Sequence, residues 1–135
     1  MAKTILLVDD DQGIVRLLEM NLVRAGYEVL KAYDGVKALE IVRETPPDLM
    51  FLDVNMPRMD GTEVLRTIKS DPELQAIPVI MLTANREQSD LDQALCDGAE
   101  YFVAKPIDPG DLMGMIKRFF EDRGEFEDWE HLPGT

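Results

Sequence analysis

Cysteine, histidine and tryptophan each occur once in these 135 residues, as Cys96, His131 and Trp129. A lone cysteine excludes an internal disulfide and fits a reducing compartment, so a cytoplasmic setting is expected. Nothing near Cys96 in sequence would activate a thiolate, and it reads as a helix-packing residue. His131 reads as a solvated side chain rather than a metal ligand or phosphodonor. No apolar run approaches the ~20 residues that a bilayer-spanning helix needs, and the N-terminus lacks a signal-peptide layout. Basic residues are scarce: 14 Lys and Arg face 27 Asp and Glu, for a net charge of −13. Unaided nucleic-acid binding runs on Lys and Arg contacts to phosphate, so the charge argues against it. No internal repeat, linker or low-complexity segment is visible.

What is present suits one ordinary globular domain, with 45% hydrophobic and 30% charged residues. Short apolar runs alternate five times with helix-like stretches. Strands are expected at Thr4 to Val8, Glu28 to Tyr33, Leu49 to Leu52, Val79 to Leu82 and Tyr101 to Ala104. Helices are expected after Asp11-Gln12-Gly13 (Ile14, Leu17, Leu18, Leu22 and Ala25 at helical spacing, stopped by Gly26) and after Asp34-Gly35. Three more are expected over Thr62 to Ser70, over Glu87 to Asp97, and from Pro109 through Phe120. That alternation implies βαβ units: an α/β, flavodoxin-like fold with a five-stranded parallel sheet in the order 2-1-3-4-5 and helices on both faces. The domain is expected to span residues 1–122. Residues 123–135 form an acidic tail expected to fray, with Phe126, Trp129 and Leu132 its apolar positions.

The strands end in chemistry. Leu49 to Leu52 stops at Asp53, Ile5 to Val8 runs into Asp9-Asp10-Asp11, Val79 to Leu82 into Thr83, and Tyr101 to Ala104 into Lys105-Pro106. In a parallel sheet these ends share one edge, where ligands bind. Acids crowded together demand a counter-cation, and an all-oxygen set suits a hard divalent ion such as Mg²⁺. Asp11 is expected to cap the first helix. Met56 and Met59 read as loop packing, and Met20, Met50, Met81, Met113 and Met115 as core filler or its fringe.

Four segments in order, ILLVDDD (Ile5 to Asp11), LDVNMPRMDG (Leu52 to Gly61), VIMLTA (Val79 to Ala84) and AKP (Ala104 to Pro106), resemble the response-regulator receiver domain of two-component signalling over roughly residues 3 to 122. The resemblance implies that Asp53 accepts a phosphoryl group from a histidine kinase, a phosphotransfer protein or a small phosphodonor. It implies Asp9, Asp10, Asp53 and the Asn55 backbone carbonyl as the Mg²⁺ set, with Asp9 acting mainly through bound water. Thr83 would hydrogen-bond the phosphoryl group and Lys105 would pair with it. Phe102 takes the place of the switch aromatic, Asn55 and Asn85 lie where hydrolysis is tuned, and the Lys105-Pro106 bond is expected to be cis.

The implied activity is phosphoryl transfer to itself and self-hydrolysis, without metabolic turnover. Output would pass by protein contact at the face formed by Glu87 to Asp97, the Tyr101 strand and the last helix, with dimerisation on phosphorylation as one form. A stand-alone switch is the expected arrangement. The alternatives are the receiver portion of a longer regulator, a phosphate-independent pseudo-receiver that only binds protein, and an aspartate-nucleophile phosphatase, whose DxDxT pattern is absent after Val8.

Overall fold

The structure, a computed structural model, describes residues 2–54, 56, 59–83 and 97–122. Within them the elements run β1 (Thr4–Val8), α1 (Gln12–Arg24), β2 (Glu28–Ala32), α2 (Gly35–Glu44), β3 (Leu49–Asp53), α3 (Gly61–Ser70), β4 (Val79–Thr83), β5 (Tyr101–Ala104) and α4 (Pro109–Asp122). The five strands are parallel in the order β2-β1-β3-β4-β5, as the sequence pattern predicts. The helix expected over Glu87 to Asp97, with Cys96 in it, lies outside the described residues apart from Asp97.

Continuous apolar runs fold this way because both faces of the sheet are covered. Every residue of β3 and β4 is buried, which polar helix faces alone could not arrange. Alternate residues feed two cores. Leu6, Val8, Met50, Leu52 and Met81 join Ala38, Val42, Val64 and Ile68 from α2 and α3. Ile5, Leu7, Leu49, Phe51 and Ile80 join Val15, Leu18, Leu22, Ile116 and Phe120 from α1 and α4. Burying each such side chain is worth about 1.5–3 kcal/mol.

Aspartate opens every helix among the described residues. Asp11 Oδ1 accepts from the backbone N–H groups of Gly13 and Ile14 (3.0 and 3.2 Å), and Asp34 from Lys37 (2.8 Å). Asp60 accepts from Glu63 (3.0 Å), and Asp108 from Gly110 and Asp111 (2.8 and 3.2 Å). Part of the acid surplus is therefore capping, favoured by the positive end of each helix dipole. The Asp60 cap also explains why α3 starts at Gly61 and not at the expected Thr62. At the other end of α1, Gly26 takes φ +98°, the left-handed stop its position suggested.

Two expectations for α1 need correction. Leu17 is 47% exposed and Met20 55% exposed, so neither is core. The inward stripe is Val15, Leu18 and Leu22, and at 3.6 residues per turn Leu17 and Met20 point well away from it.

At the amino ends of β4 and β5 lies a polar staple that single-sequence patterning does not reveal. Lys69 Nζ on α3 donates to the carbonyls of Gln75 (3.1 Å) and Ile77 (2.7 Å) and to Glu100 Oε1 (3.0 Å). The other Glu100 oxygen accepts from the Val79 N–H. The Lys69 side chain is only 14% exposed, so its acceptors have little water to replace it. Lys69→Met is expected to cost about 1–3 kcal/mol, read as a lower urea midpoint; an unchanged midpoint would show the staple to be energetically idle.

Candidate functional site

Register gathers the predicted residues. Val8 pairs with Leu52, so the residues that follow, Asp9 and Asp53, emerge side by side at the carboxyl edge. β4 pairs with β3 through Asp53 and Leu82 and with β5 through Thr83 and Ala104, which brings Lys105 to the same edge. The Lys105 N–H donates to the Thr83 carbonyl at 2.8 Å, and the Val54 N–H to Leu82 at 2.9 Å. Backbone pairing thus continues right up to the point where the chemistry begins.

Three carboxylates meet there. Oxygens of Asp9, Asp10 and Asp53 all lie within 4.8 Å of one another, with Asp9 and Asp53 buried and Asp10 exposed. Lys105 Nζ stands 2.9 Å from Asp9 Oδ2 and 3.2 Å from Asp53 Oδ1. Burial pulls the Lys105 pKa down, but the hydrogen bond to Asp9 and the charges of Asp53 and Asp9 outweigh it and hold the pKa above the ordinary lysine value. The ammonium therefore stays charged throughout the neutral range.

One ammonium does not balance three carboxylates. Asp9 Oδ1 accepts the Asp11 N–H at 2.9 Å. Asp9 Oδ2 is buried and faces the Lys105 ammonium at 2.9 Å, with no further partner among the described residues. A buried carboxylate oxygen left with spare lone pairs, in an all-oxygen set open on the Asp10 side, fits a small hard cation. Asp9, Asp10 and Asp53 are the described residues that could hold it.

Thr83 is buried at the end of β4, one strand over from Asp53. Asp11, the third acid of its run, is occupied as the α1 cap and stays out of the cluster. Met56 and Met59 pack against the core on the α2–α3 side, as expected. Phe102 is half-buried against that same core. Tyr101 is on the other side of the strand, 54% exposed, yet the two rings come within 5.8 Å at 19° across the free edge of β5. The Lys105-Pro106 peptide is cis. Asn55 and Asn85 lie outside the described residues.

Gly61 belongs to the site although no chemistry marks it in the sequence. A Cβ there would overlap the carbonyl of Asp53 and crowd the Val54 Cα, while its N–H donates to the Val54 carbonyl at 2.8 Å. The turn that carries the chain from β3 into α3 is folded back against the residue holding the central carboxylate. Its sequence signal is the glycine eight residues after Asp53, legible only once the turn's closeness is known.

A family model described as the response regulator receiver domain matches residues 5–117. The chain is 40% identical over 117 residues to the alkaline phosphatase synthesis transcriptional regulatory protein PhoP of Bacillus subtilis, covering 87% of this chain and 48% of that one. It is 44% identical over 117 residues to the response regulator PleD of Caulobacter vibrioides, covering 87% of this chain and 26% of PleD. The chain thus spans about half, or less, of the length of these relatives. Among solved structures, the Mn²⁺-bound form of response regulator Rcp1 superposes with a TM-score of 0.76 at 30% identity, over 88% of this chain and 92% of that one.

Proposed function

The chain belongs to the response regulator receiver domain family, and we propose from that premise that it is a phosphorylation-dependent switch of two-component signalling with Asp53 as the phosphoryl acceptor. The observation that carries the reading is the ammonium of Lys105 held between two buried carboxylates, Asp9 and Asp53.

In the forward step a carboxylate oxygen of Asp53 attacks the phosphorus of a phosphohistidine on a kinase or phosphotransfer protein. The new O–P bond forms as the P–N bond breaks, and the donor imidazole recovers its lone pair. A small acyl phosphate serves the same way, with its carboxylate leaving. Such transfers depend on positioning and on stabilising the charge spread over the phosphoryl oxygens. Lys105 supplies one fixed positive charge there, and the buried Thr83 hydroxyl is the donor to the bound phosphoryl group. Asp9, Asp10 and Asp53, with Asn55, would hold Mg²⁺, which when bound neutralises charge on the transferring group. The Mn²⁺-bound form of Rcp1 supports a divalent ion of this kind. In the return step water attacks the phosphorus, the O–P bond to Asp53 breaks, and inorganic phosphate leaves.

Phosphorylation adds about −1.5 to −2 charges (a value for phosphorylated hydroxyls, used by analogy) and new acceptor oxygens. Movement of Thr83 toward them would vacate space for Phe102, linking the charge to the surface around β5. A groove of about 270 Å³ lined by Tyr101, Phe102, Pro106, Ile107, Leu112 and Met115 supports that surface as the place where a downstream protein is met.

Intact-mass measurement after incubation with a small phosphodonor tests the whole reading. One added phosphoryl group, seen with Mg²⁺ and lost on chelation, is the expected result; no adduct under either condition would leave a phosphate-independent binding module. Asp10→Asn is expected to weaken Mg²⁺ by at least about tenfold, which is 1.4 kcal/mol. The same change should raise metal-free stability by about 1 kcal/mol, because like charges within 4.8 Å on an exposed rim repel by that order. Calorimetric titration and thermal melts without metal read the two effects, and an unchanged titration removes Asp10 from the ligand set.

A further inference from the structure

Two of the described glycines stand against main chain instead of the ends of side chains, and both involve the same stretch. Gly61 meets Asp53 and Val54. Gly35, the first residue of α2 and buried, meets Met59. A Cβ at Gly35 would come within 2.6 Å of the Met59 carbonyl oxygen and 3.0 Å of the Met59 Cβ. It would also come within 2.7 Å of Val64 Cγ2. The segment leading from Asp53 to α3 therefore rests on two bare Cα atoms, its own Gly61 against β3 and Gly35 against Met59.

Nothing else calls for glycine at position 35. The left-handed glycines among the described residues are Gly26 and Gly98, so backbone conformation does not demand it. Glycine is a poorer helix former than alanine, and Asp34 already caps α2 by accepting from the Lys37 N–H. What the position supplies is room for the Met59 carbonyl. The β2–α2 junction thereby reaches the acid cluster from two directions. The Ala32 carbonyl at the end of β2 accepts the Asp9 N–H at 3.2 Å, and three residues later Gly35 seats Met59. Met59 is joined through Asp60, the cap of α3, to Gly61, which lies against the Asp53 carbonyl.

We infer that Gly35 is a positioning residue for phosphoryl transfer: its bare Cα seats the Met59 main chain, and through Asp60 and Gly61 that seat fixes the Asp53 carboxylate. The role rests on Asp53 being the acceptor. An added methyl group pushes the Met59 carbonyl from 2.6 Å to an ordinary contact of about 3.5 Å, a shift of roughly 1 Å. Misplacement by about 1 Å costs on the order of a hundredfold in rate, and the two intervening residues absorb part of it.

Gly35→Ala is therefore expected to slow labelling by a small phosphodonor about tenfold at fixed Mg²⁺. In the metal-free protein it should also move the amide NMR signals of Val54 and Gly61. Val42→Ala, on the buried face two turns further along α2, loosens the same helix away from its first turn. It should lower the melting temperature and leave the labelling rate and both signals unchanged. Val64→Ala clears the overlap with Cγ2 but not that with the carbonyl. It should therefore lower the melting temperature less in the Gly35→Ala chain than alone, without restoring the rate. The double variant also carries the test if Gly35→Ala by itself does not fold. A wild-type rate in folded Gly35→Ala would overturn the role, and so would slowing without movement of the two signals. Equal slowing in Val42→Ala, or a rate restored by Val64→Ala, would overturn it by tracing the effect to core packing. No labelling of the wild-type chain would instead refute Asp53 as acceptor, and the Val54 and Gly61 signals would still decide whether Gly35 seats the turn.

Discussion

Asp53→Asn is expected to abolish covalent labelling by a small phosphodonor while the protein stays folded. The carboxylate is 3% exposed and the ammonium of Lys105 lies 3.2 Å away, so the oxygen that would attack is already aligned with the charge that would stabilise the product. An amide of the same shape keeps the packing above Phe51 but is not a nucleophile, and the step has no substitute group. Stability should change little. Lys105 retains Asp9 at 2.9 Å, and removing one of three clustered negative charges relieves repulsion as it removes attraction. Intact mass and a thermal melt check both halves. Labelling that persists in the variant would place the acceptor elsewhere, with Asp9 and Asp10 the nearest carboxylates. Labelling lost together with the fold would leave the assignment undecided in that variant alone, and Asp53→Glu, which keeps the charge but moves it outward, then separates chemistry from folding.

Gly61→Val is the second large effect, and it arises from backbone rather than chemistry. The atoms that an added Cβ would strike are the Asp53 carbonyl and the Val54 Cα, main-chain atoms that no rotamer change can clear. The end of β3 must shift, or the turn into α3 must open and give up the bond from the Gly61 N–H to Val54. Overpacking of this kind typically costs about 1–3 kcal/mol, occasionally more, and valine exceeds the minimal Cβ. A fall in the urea midpoint of at least that size is expected, along with slower labelling in whatever fraction remains folded, because the carboxylate moves with its carbonyl. Wild-type stability and labelling in Gly61→Val would mean that the turn relaxes freely and that the glycine has no positioning role.

The strands and the edge where they end were legible because burial on both faces writes itself as unbroken apolar runs. Leu49 to Leu52 and Val79 to Leu82 allow no half-exposed alternative. The grouping of Asp9, Asp53, Thr83 and Lys105 followed from the same runs, since parallel neighbours in matched register bring their ends to one edge. Surface helices were harder to read. An apolar residue such as Leu17 looks inward by type, and only the packing angle of α1 decides that Val15, Leu18 and Leu22 are the buried row. The Lys69–Glu100 staple was invisible because its partners lie 31 residues apart and neither carries a local pattern. Gly61 stood out in the sequence only as the last residue of the LDVNMPRMDG segment, because steric closeness to Asp53 is a property of the folded turn. Among the described residues no helix is long and apolar enough to cross a bilayer.

The complete burial of β3 and β4 has a mechanical corollary. Beneath Asp53 lies Phe51, itself wholly buried, so a newly arrived anion finds hydrocarbon below it and nothing there that could reorient to meet it. Close-packed hydrocarbon is also stiff. Any answer to the added charge must come from the rim, through Thr83 at the end of β4, the edge strand β5 and the loops beyond, and the buried middle of the sheet acts as the fixed bed against which they move.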